Sequence, residues 1–200
     1  MSGTAQARGS IERRRVPLVV VTGSESTGKT TLAGDLARQF GGACVPEFAR
    51  LYADRKTADT GALLDASDVE PIARGQIEMH DRAISGASGL VVLDTDLVST
   101  VVYARHYYGH CPAWIEQASR ERRGDLYLLC DIDVPWVAGP HRDRPHARAQ
   151  LHGEFAAELQ ALGAPVVVIH GSWAERFATA ERAVRAVAQS PVSRSPSDAR

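Results

Sequence analysis

The stretch Gly23-Ser24-Glu25-Ser26-Thr27-Gly28-Lys29-Thr30 constrains this chain more than any other. It lies between the apolar run PLVVVT (17–22) and a segment in which Leu32, Leu36 and Phe40 recur every four residues. The pattern G-x-x-x-x-G-K-[ST] between a buried strand and an amphipathic helix makes a phosphate cradle. Gly23 and Gly28 let the backbone curl, so the N–H groups of Ser24, Glu25, Ser26, Thr27 and Thr31, with the helix N-terminus, face an anion. Lys29 is expected to reach the β- and γ-phosphates and Thr30 to bind Mg²⁺.

The rest of the chain supports the sheet such a loop needs. ACVP (43–46), GLVVLD (89–94), DLYLLC (125–130) and APVVVI (164–169) are short apolar runs without polar alternation, the pattern of strands buried on both faces. Helical segments separate them. Ser67 and Glu70 have capping-box spacing ahead of a face carrying Val69, Ile72, Ala73, Ile77 and Ile84; Ser172 and Glu175 do the same ahead of Phe177, Ala180, Val184 and Val187. The expected fold is α/β, a P-loop NTPase of the nucleoside/nucleotide-kinase type. Its five-stranded parallel sheet has helices on both faces and binds ligands at the carboxyl ends of the strands.

A chain of 200 residues, 44% hydrophobic and 24% charged, suffices for one cored domain, placed at 16–189. Residues 1–15 and 190–200 are polar and rich in Ser, Pro and Arg, and are expected to be disordered tails. A formal net charge of −1 supplies no global field toward nucleic acid or anionic membrane. No apolar run approaches the roughly 18 to 20 residues that span a bilayer, and the N-terminus lacks the apolar segment of a secretory signal. A cytoplasmic protein with a small-molecule partner, rather than nucleic acid or membrane, is expected. Cys44, Cys111 and Cys130 are widely spaced and read as small buried hydrophobes. Of 23 basic residues only Lys29 and Lys56 are lysine.

Phosphoryl transfer needs a metal-holding carboxylate and a group that orients the nucleophile. Asp94 follows four apolar residues at a strand end, which suits the metal. Asp96 either shares the metal, faces the substrate, or caps the next helix. The chain has no asparagine, against a guanine-reading switch, and too little length for the helical lid of an AAA-type motor. A small kinase remains, with an arginine-bearing lid at about 131–150 that presents Arg142, Arg144 and Arg148. Glu47, after the second strand, is placed to align an acceptor hydroxyl. Arg50, one turn on, either bridges to phosphate or makes a surface ion pair. Gln76 on an apolar helical face bonds a substrate group or backbone, and His80 beside it is expected to be structural. Tyr103, Tyr107 and Trp114 either stack on a planar ring or pack in the core.

The segments GSESTGKTTLA, PEFARLY, GQIEMHDRA, LVVLDTDLVSTVVYARHYYG, DLYLLCDIDVPWV and HGSWAERFATA occur in the order found in the ribosylnicotinamide kinase domain of NadR-type proteins. The chain resembles that domain over roughly residues 16–188. The resemblance implies ATP-dependent phosphorylation of the 5′-hydroxyl of nicotinamide riboside. It implies Lys29 and Thr30 on ATP and Mg²⁺, Asp94 on the metal or the acceptor hydroxyl, Glu47 on the acceptor and Arg142 in the lid. Only the kinase step carries over, since no adenylyltransferase or helix-turn-helix segment is expected. Gly139-Pro140 replaces the Asp-Gly usual in the family's lid, which leaves the substrate open. The alternatives are a kinase for another nucleoside or hydroxylated metabolite, or a P-loop regulator that binds nucleotide without an acceptor.

Overall fold

The computed structural model describes residues 16–137 and 145–189. Five strands form one sheet: β1 (Leu18–Thr22), β2 (Ala43–Val45), β3 (Val91–Asp94), β4 (Leu126–Cys130) and β5 (Val166–Ile169). All pairings are parallel and the order is β2-β3-β1-β4-β5. Parallel neighbours need crossovers, supplied here by α1 (Lys29–Phe40), α2 (Phe48–Thr60), α3 (Val69–Gly86), α4 (Leu97–Tyr108), α5 (Ala113–Glu121), α6 (Arg148–Ala161) and α7 (Trp173–Gln189).

Alternation along β1 divides the core. Val19 and Val21 face α1 and α7, where Leu32, Leu36, Ala180 and Val184 are buried. Leu18 and Val20 face the other side, against Val98 and Val102 of α4 and Leu151 and Phe155 of α6. A third cluster joins Val69 and Ala73 of α3 to Val101 of α4 and Ile115 of α5. Burial on both faces holds for β1, β3 and β4. The outer strands depart from it: Val166 and Val168 of β5 are exposed, as is Cys44 of β2, because they point to the face opposite the packed one, where Val167 lies against one core cluster and Ala43 and Val45 against the other.

The Ser172–Glu175 box forms as expected, with Ser172 N and Oγ donating to Glu175 Oε2 at 2.8 and 2.7 Å. The other box sits elsewhere. Asp65 and Asp68 bond each other's backbone across the single turn Ala66–Asp68 ahead of α3, and Ser67 donates its hydroxyl to Asp65 Oδ1 at 2.6 Å. Lys56 fixes this choice by bonding Asp65 and Asp68 at 2.9 and 2.5 Å. Ile84 is exposed, so the buried face of α3 ends at His80.

Candidate active site

Because every strand points the same way, the segments after β1, β2, β3 and β4 meet at one edge of the sheet. The phosphate loop leaves β1 through Gly23 at φ +128°, where a Cβ would stand 2.8 Å from the Cys130 carbonyl oxygen. Only glycine fits both that torsion and that approach. Ser26 (φ 57°) and Gly28 (φ 83°) complete the curl. Lys29 donates its ammonium to Ser24 O at 2.7 Å and Thr27 its hydroxyl to the same oxygen at 2.9 Å.

At the end of β3, Asp94 is 2% exposed and accepts from Thr30 Oγ1 at 2.6 Å through Oδ2. Its other oxygen has no partner among the described residues, and burial pushes the carboxyl above its ordinary range. A buried carboxylate oxygen with an unmet valence beside a threonine hydroxyl suits a hard divalent cation, so these residues fit Mg²⁺. The next residue, Thr95, holds φ 70° while donating its N–H to Val21 O at 3.0 Å. A β-branched side chain rarely adopts that torsion, and Thr95 holds it in the wall of the site.

A cavity of about 480 Å³ opens beside the phosphate loop, between α2, α3 and α4. Lys29, Thr30, Glu47, Arg50, Gln76 and Tyr107 all border it. Glu47 stands at the N-terminus of α2 without capping it, and Arg50 lies 3.6 Å away across an ion pair. Tyr103 and Tyr107, one turn apart on α4, stack at 5.9 Å and 7°. Burial, reinforced by the charges of Glu47 and Glu25, holds the Tyr103 phenol well above its usual range, so it remains a donor.

Two expected substrate contacts are corrected. Asp96 is buried away from the cavity: one oxygen caps α4 through Val98 N at 3.0 Å and the other accepts from Tyr127 Oη at 2.6 Å. Desolvation raises its pKa to about 6. Trp114 packs among α3, α4 and α5 with the Arg74 guanidinium 4.5 Å above its ring, so the core reading holds for it. Gln76 does line the cavity, but its amide is engaged by protein: Oε1 accepts from Phe48 N at 3.0 Å and Nε2 meets His80 Nε2. His80 is buried, as a structural histidine would be, and desolvation lowers its pKa to about 4. Arg142 and Arg144 lie outside the described residues. Arg148 opens α6 and donates to Val134 O at 2.7 Å and Ser26 O at 3.0 Å, which ties the segment after β4 to the phosphate loop. Val137 adds a reciprocal pair with Ser26 Oγ at 2.8 and 3.0 Å.

One anchor was not foreseen. Arg176 is 1% exposed and donates to Gly171 O, Thr27 O and Asp131 O at 3.0 to 3.2 Å while pairing with Asp133. It welds the phosphate loop to the ends of β4 and β5. Its sequence signal was its place four and eight residues before Ala180 and Val184, on the buried stripe.

A parallel sheet of this order, with a phosphate loop after its central strand and an aspartate at the tip of the neighbour, defines a P-loop protein of the nucleoside/nucleotide-kinase type. The chain belongs to the family described as AAA domain, which matches residues 18–176. It is 32% identical over 123 residues to the trifunctional NAD biosynthesis/regulator protein NadR of Escherichia coli K12, across 62% of this chain and 30% of that protein. The chain thus spans under a third of this relative's length. A solved NadR in complex with NR superposes with TM-score 0.73 at 27% identity, over 91% of this chain and 54% of that one. NadR with NAD and AMP-PNP gives 0.73 at 28% identity, over 92% and 52%. A Candida albicans thymidylate kinase shares the fold, with TM-score 0.59 at 13% identity over 86% and 91%. The similarity to the ribosylnicotinamide kinase domain of NadR therefore extends from sequence motifs to structure. No helix among the described residues is long and apolar enough to cross a membrane.

Proposed function

We propose that the protein is an ATP-dependent kinase that transfers the γ-phosphoryl group to the 5′-hydroxyl of nicotinamide riboside, giving the mononucleotide. One observation carries this reading: a single cavity is bordered by Lys29 and Thr30 on one side and by Glu47 and the Tyr103–Tyr107 stack on the other. Donor and acceptor machinery thus share one enclosure, as in-line transfer requires.

Lys29 exchanges the Ser24 carbonyl for phosphate oxygens when nucleotide binds, and the loop's N–H groups hold the β-phosphate. Thr30 and Asp94 would hold Mg²⁺, which would supply neutralisation of the charge on the transferred phosphoryl group. Glu47 accepts the acceptor's hydroxyl hydrogen and aims its oxygen at phosphorus, while the face of Tyr107 supports the ring. A pyridinium gains roughly 0.5 to 2 kcal/mol from such a face. Arg148 and residues 133–137 cover the loop and exclude water.

The test is ADP release by purified protein with Mg-ATP and a panel of acceptors. Riboside-dependent ADP together with a product at the mass of the mononucleotide supports the assignment. A faster rate with another nucleoside reassigns the acceptor, and slow hydrolysis indifferent to every acceptor refutes the kinase.

A further inference from the structure

The wall of the cavity at Gln76 is built in a way that the transfer chemistry does not by itself require. Gly75 lies under the Phe48 ring so closely that a Cβ there would come within 2.1 Å of it. That contact brings the first turn of α2 against α3 and sets Phe48 N 3.0 Å from Gln76 Oε1. The Phe48 N–H is one of the donors that a helix start leaves without an intrahelical partner. Glu47, in the capping position, makes no side-chain cap bond, and the first turn of α2 has no acidic residue. Gln76 thus caps α2 from another helix.

The Phe48 N–H, which can only donate, selects Gln76 Oε1, and His80 anchors the other end of the same amide. The two contacting atoms are both nitrogens, Gln76 Nε2 and His80 Nε2. An amide NH₂ only donates, so the ring nitrogen accepts and the imidazole proton sits on Nδ1. A rotated amide would oppose its NH₂ to the Phe48 N–H and lose that bond, and would keep the one to His80 only if the imidazole proton moved to Nε2. Burial keeps the ring neutral and able to accept.

We propose that His80 and Gln76 are positioning residues that act through the Phe48 amide to fix where the Glu47 carboxylate stands in the cavity. The proposal rests on the acceptor-side reading of Glu47 given above. Without the imidazole the amide keeps only one of its two anchors, its hold on the Phe48 N–H loosens, and the turn that begins at Glu47 shifts. A misplacement of about 1 Å at a reacting group costs up to about 100-fold in rate.

Two measurements test it. In steady-state kinetics, His80→Leu and Gln76→Leu are expected to lower kcat with acceptor at least about tenfold, leaving the KM for ATP within about twofold. His80→Gln, which restores an acceptor at similar reach, recovers most of the loss. Equal loss in acceptor-dependent and acceptor-independent ATP turnover, or a folded His80→Leu with unchanged kcat, overturns the positioning role. Imidazole ¹⁵N spectra need no acceptor, so they separate failure of the relay from failure of the kinase assignment. The wild type is expected to show an Nδ1–H tautomer, and Gln76→Glu, of the same shape, to draw a proton onto Nε2. An Nε2–H tautomer in the wild type, or resonances indifferent to Gln76→Glu, overturns the relay even if riboside is phosphorylated.

Discussion

Replacing Asp96 with asparagine separates an aspartate that serves the fold from one that binds metal or substrate. Asparagine caps a helix about as well as aspartate, so Val98 N keeps its acceptor and the side chain keeps its volume. What changes is the charge. Burial pushes the folded carboxyl up to about 6 from its ordinary value of 3.8, because desolvation disfavours the ionised form more than Tyr127 and Val98 support it. A raised folded pKa means that the folded state holds its proton more tightly than the unfolded chain. This group's contribution is therefore complete below about pH 3.8 and is lost as pH rises through about 6. The full span amounts to roughly 3 kcal/mol, of which roughly 1 to 2 kcal/mol falls between pH 5 and pH 8. The Tyr127 hydroxyl must find a new acceptor in the variant, at a cost of about 1 kcal/mol that does not vary with pH. Urea unfolding of both proteins at pH 5, 6, 7 and 8 isolates the carboxyl, since other titrations are common to both and cancel. Asp96→Asn is expected to gain on the wild type by roughly 1 to 2 kcal/mol from pH 5 to pH 8, with Mg-ATP turnover within a few-fold. Parallel stability profiles, or a loss of turnover beyond about 100-fold, would refute the structural reading of Asp96.

Asp94→Asn should do the opposite to activity: turnover falls at least about 100-fold, while the Mg²⁺-free protein melts at or above the wild-type temperature at pH 8, because a buried carboxylate is no longer desolvated. Lys29→Ala is expected to lower kcat at least about 100-fold with an unchanged circular-dichroism spectrum. Tyr107→Ala should raise the KM for a ring-bearing acceptor by about fivefold, equivalent to about 1 kcal/mol of stacking, with Tyr107→Phe near wild type and the KM for ATP unchanged in both. Gly23→Ala should destabilise by at least about 1 to 3 kcal/mol in urea unfolding, since its Cβ meets the Cys130 carbonyl.

The strands and the phosphate loop were legible because their signals are local: a run of apolar residues, two glycines, a lysine and a helical period. What escaped is set by partners far along the chain. DTD reads identically whether Asp96 faces a metal or caps a helix, and Tyr127, 31 positions on, decides it. The Ser67–Glu70 spacing is a sound capping signal, but Lys56, reaching from α2 to Asp65 and Asp68, supports the competing box. Trp114 could stack on a ligand or fill a core; only the docking of α5 against α3 and α4 puts it in the latter. Arg176 is the extreme case, an arginine on a buried stripe whose acceptors are backbone carbonyls from three separate segments.

Glu47, Asp94 and Asp96 all lie at or just beyond a strand's carboxyl end on the same side of the sheet, and identity of side chain does not distribute their work. Surroundings do. Asp96 has each of its two oxygens bonded, to Val98 N and to Tyr127 Oη, and is closed off from the cavity. Asp94 has one oxygen on Thr30 and one without a partner among the described residues, an arrangement that suits the proposed cation. Glu47 sits at the positive end of the α2 dipole, where a negative charge is favoured, and its own helix takes no cap bond from it. In a loose phosphoryl-transfer transition state the nucleophile needs aiming more than deprotonation. A carboxylate held at a helix start by a bond made elsewhere, between Gln76 and Phe48, is suited to aiming. On this argument Glu47→Gln, which still accepts a hydrogen bond, should retain more acceptor-dependent kcat than Glu47→Ala; equal losses would instead make Glu47 a general base.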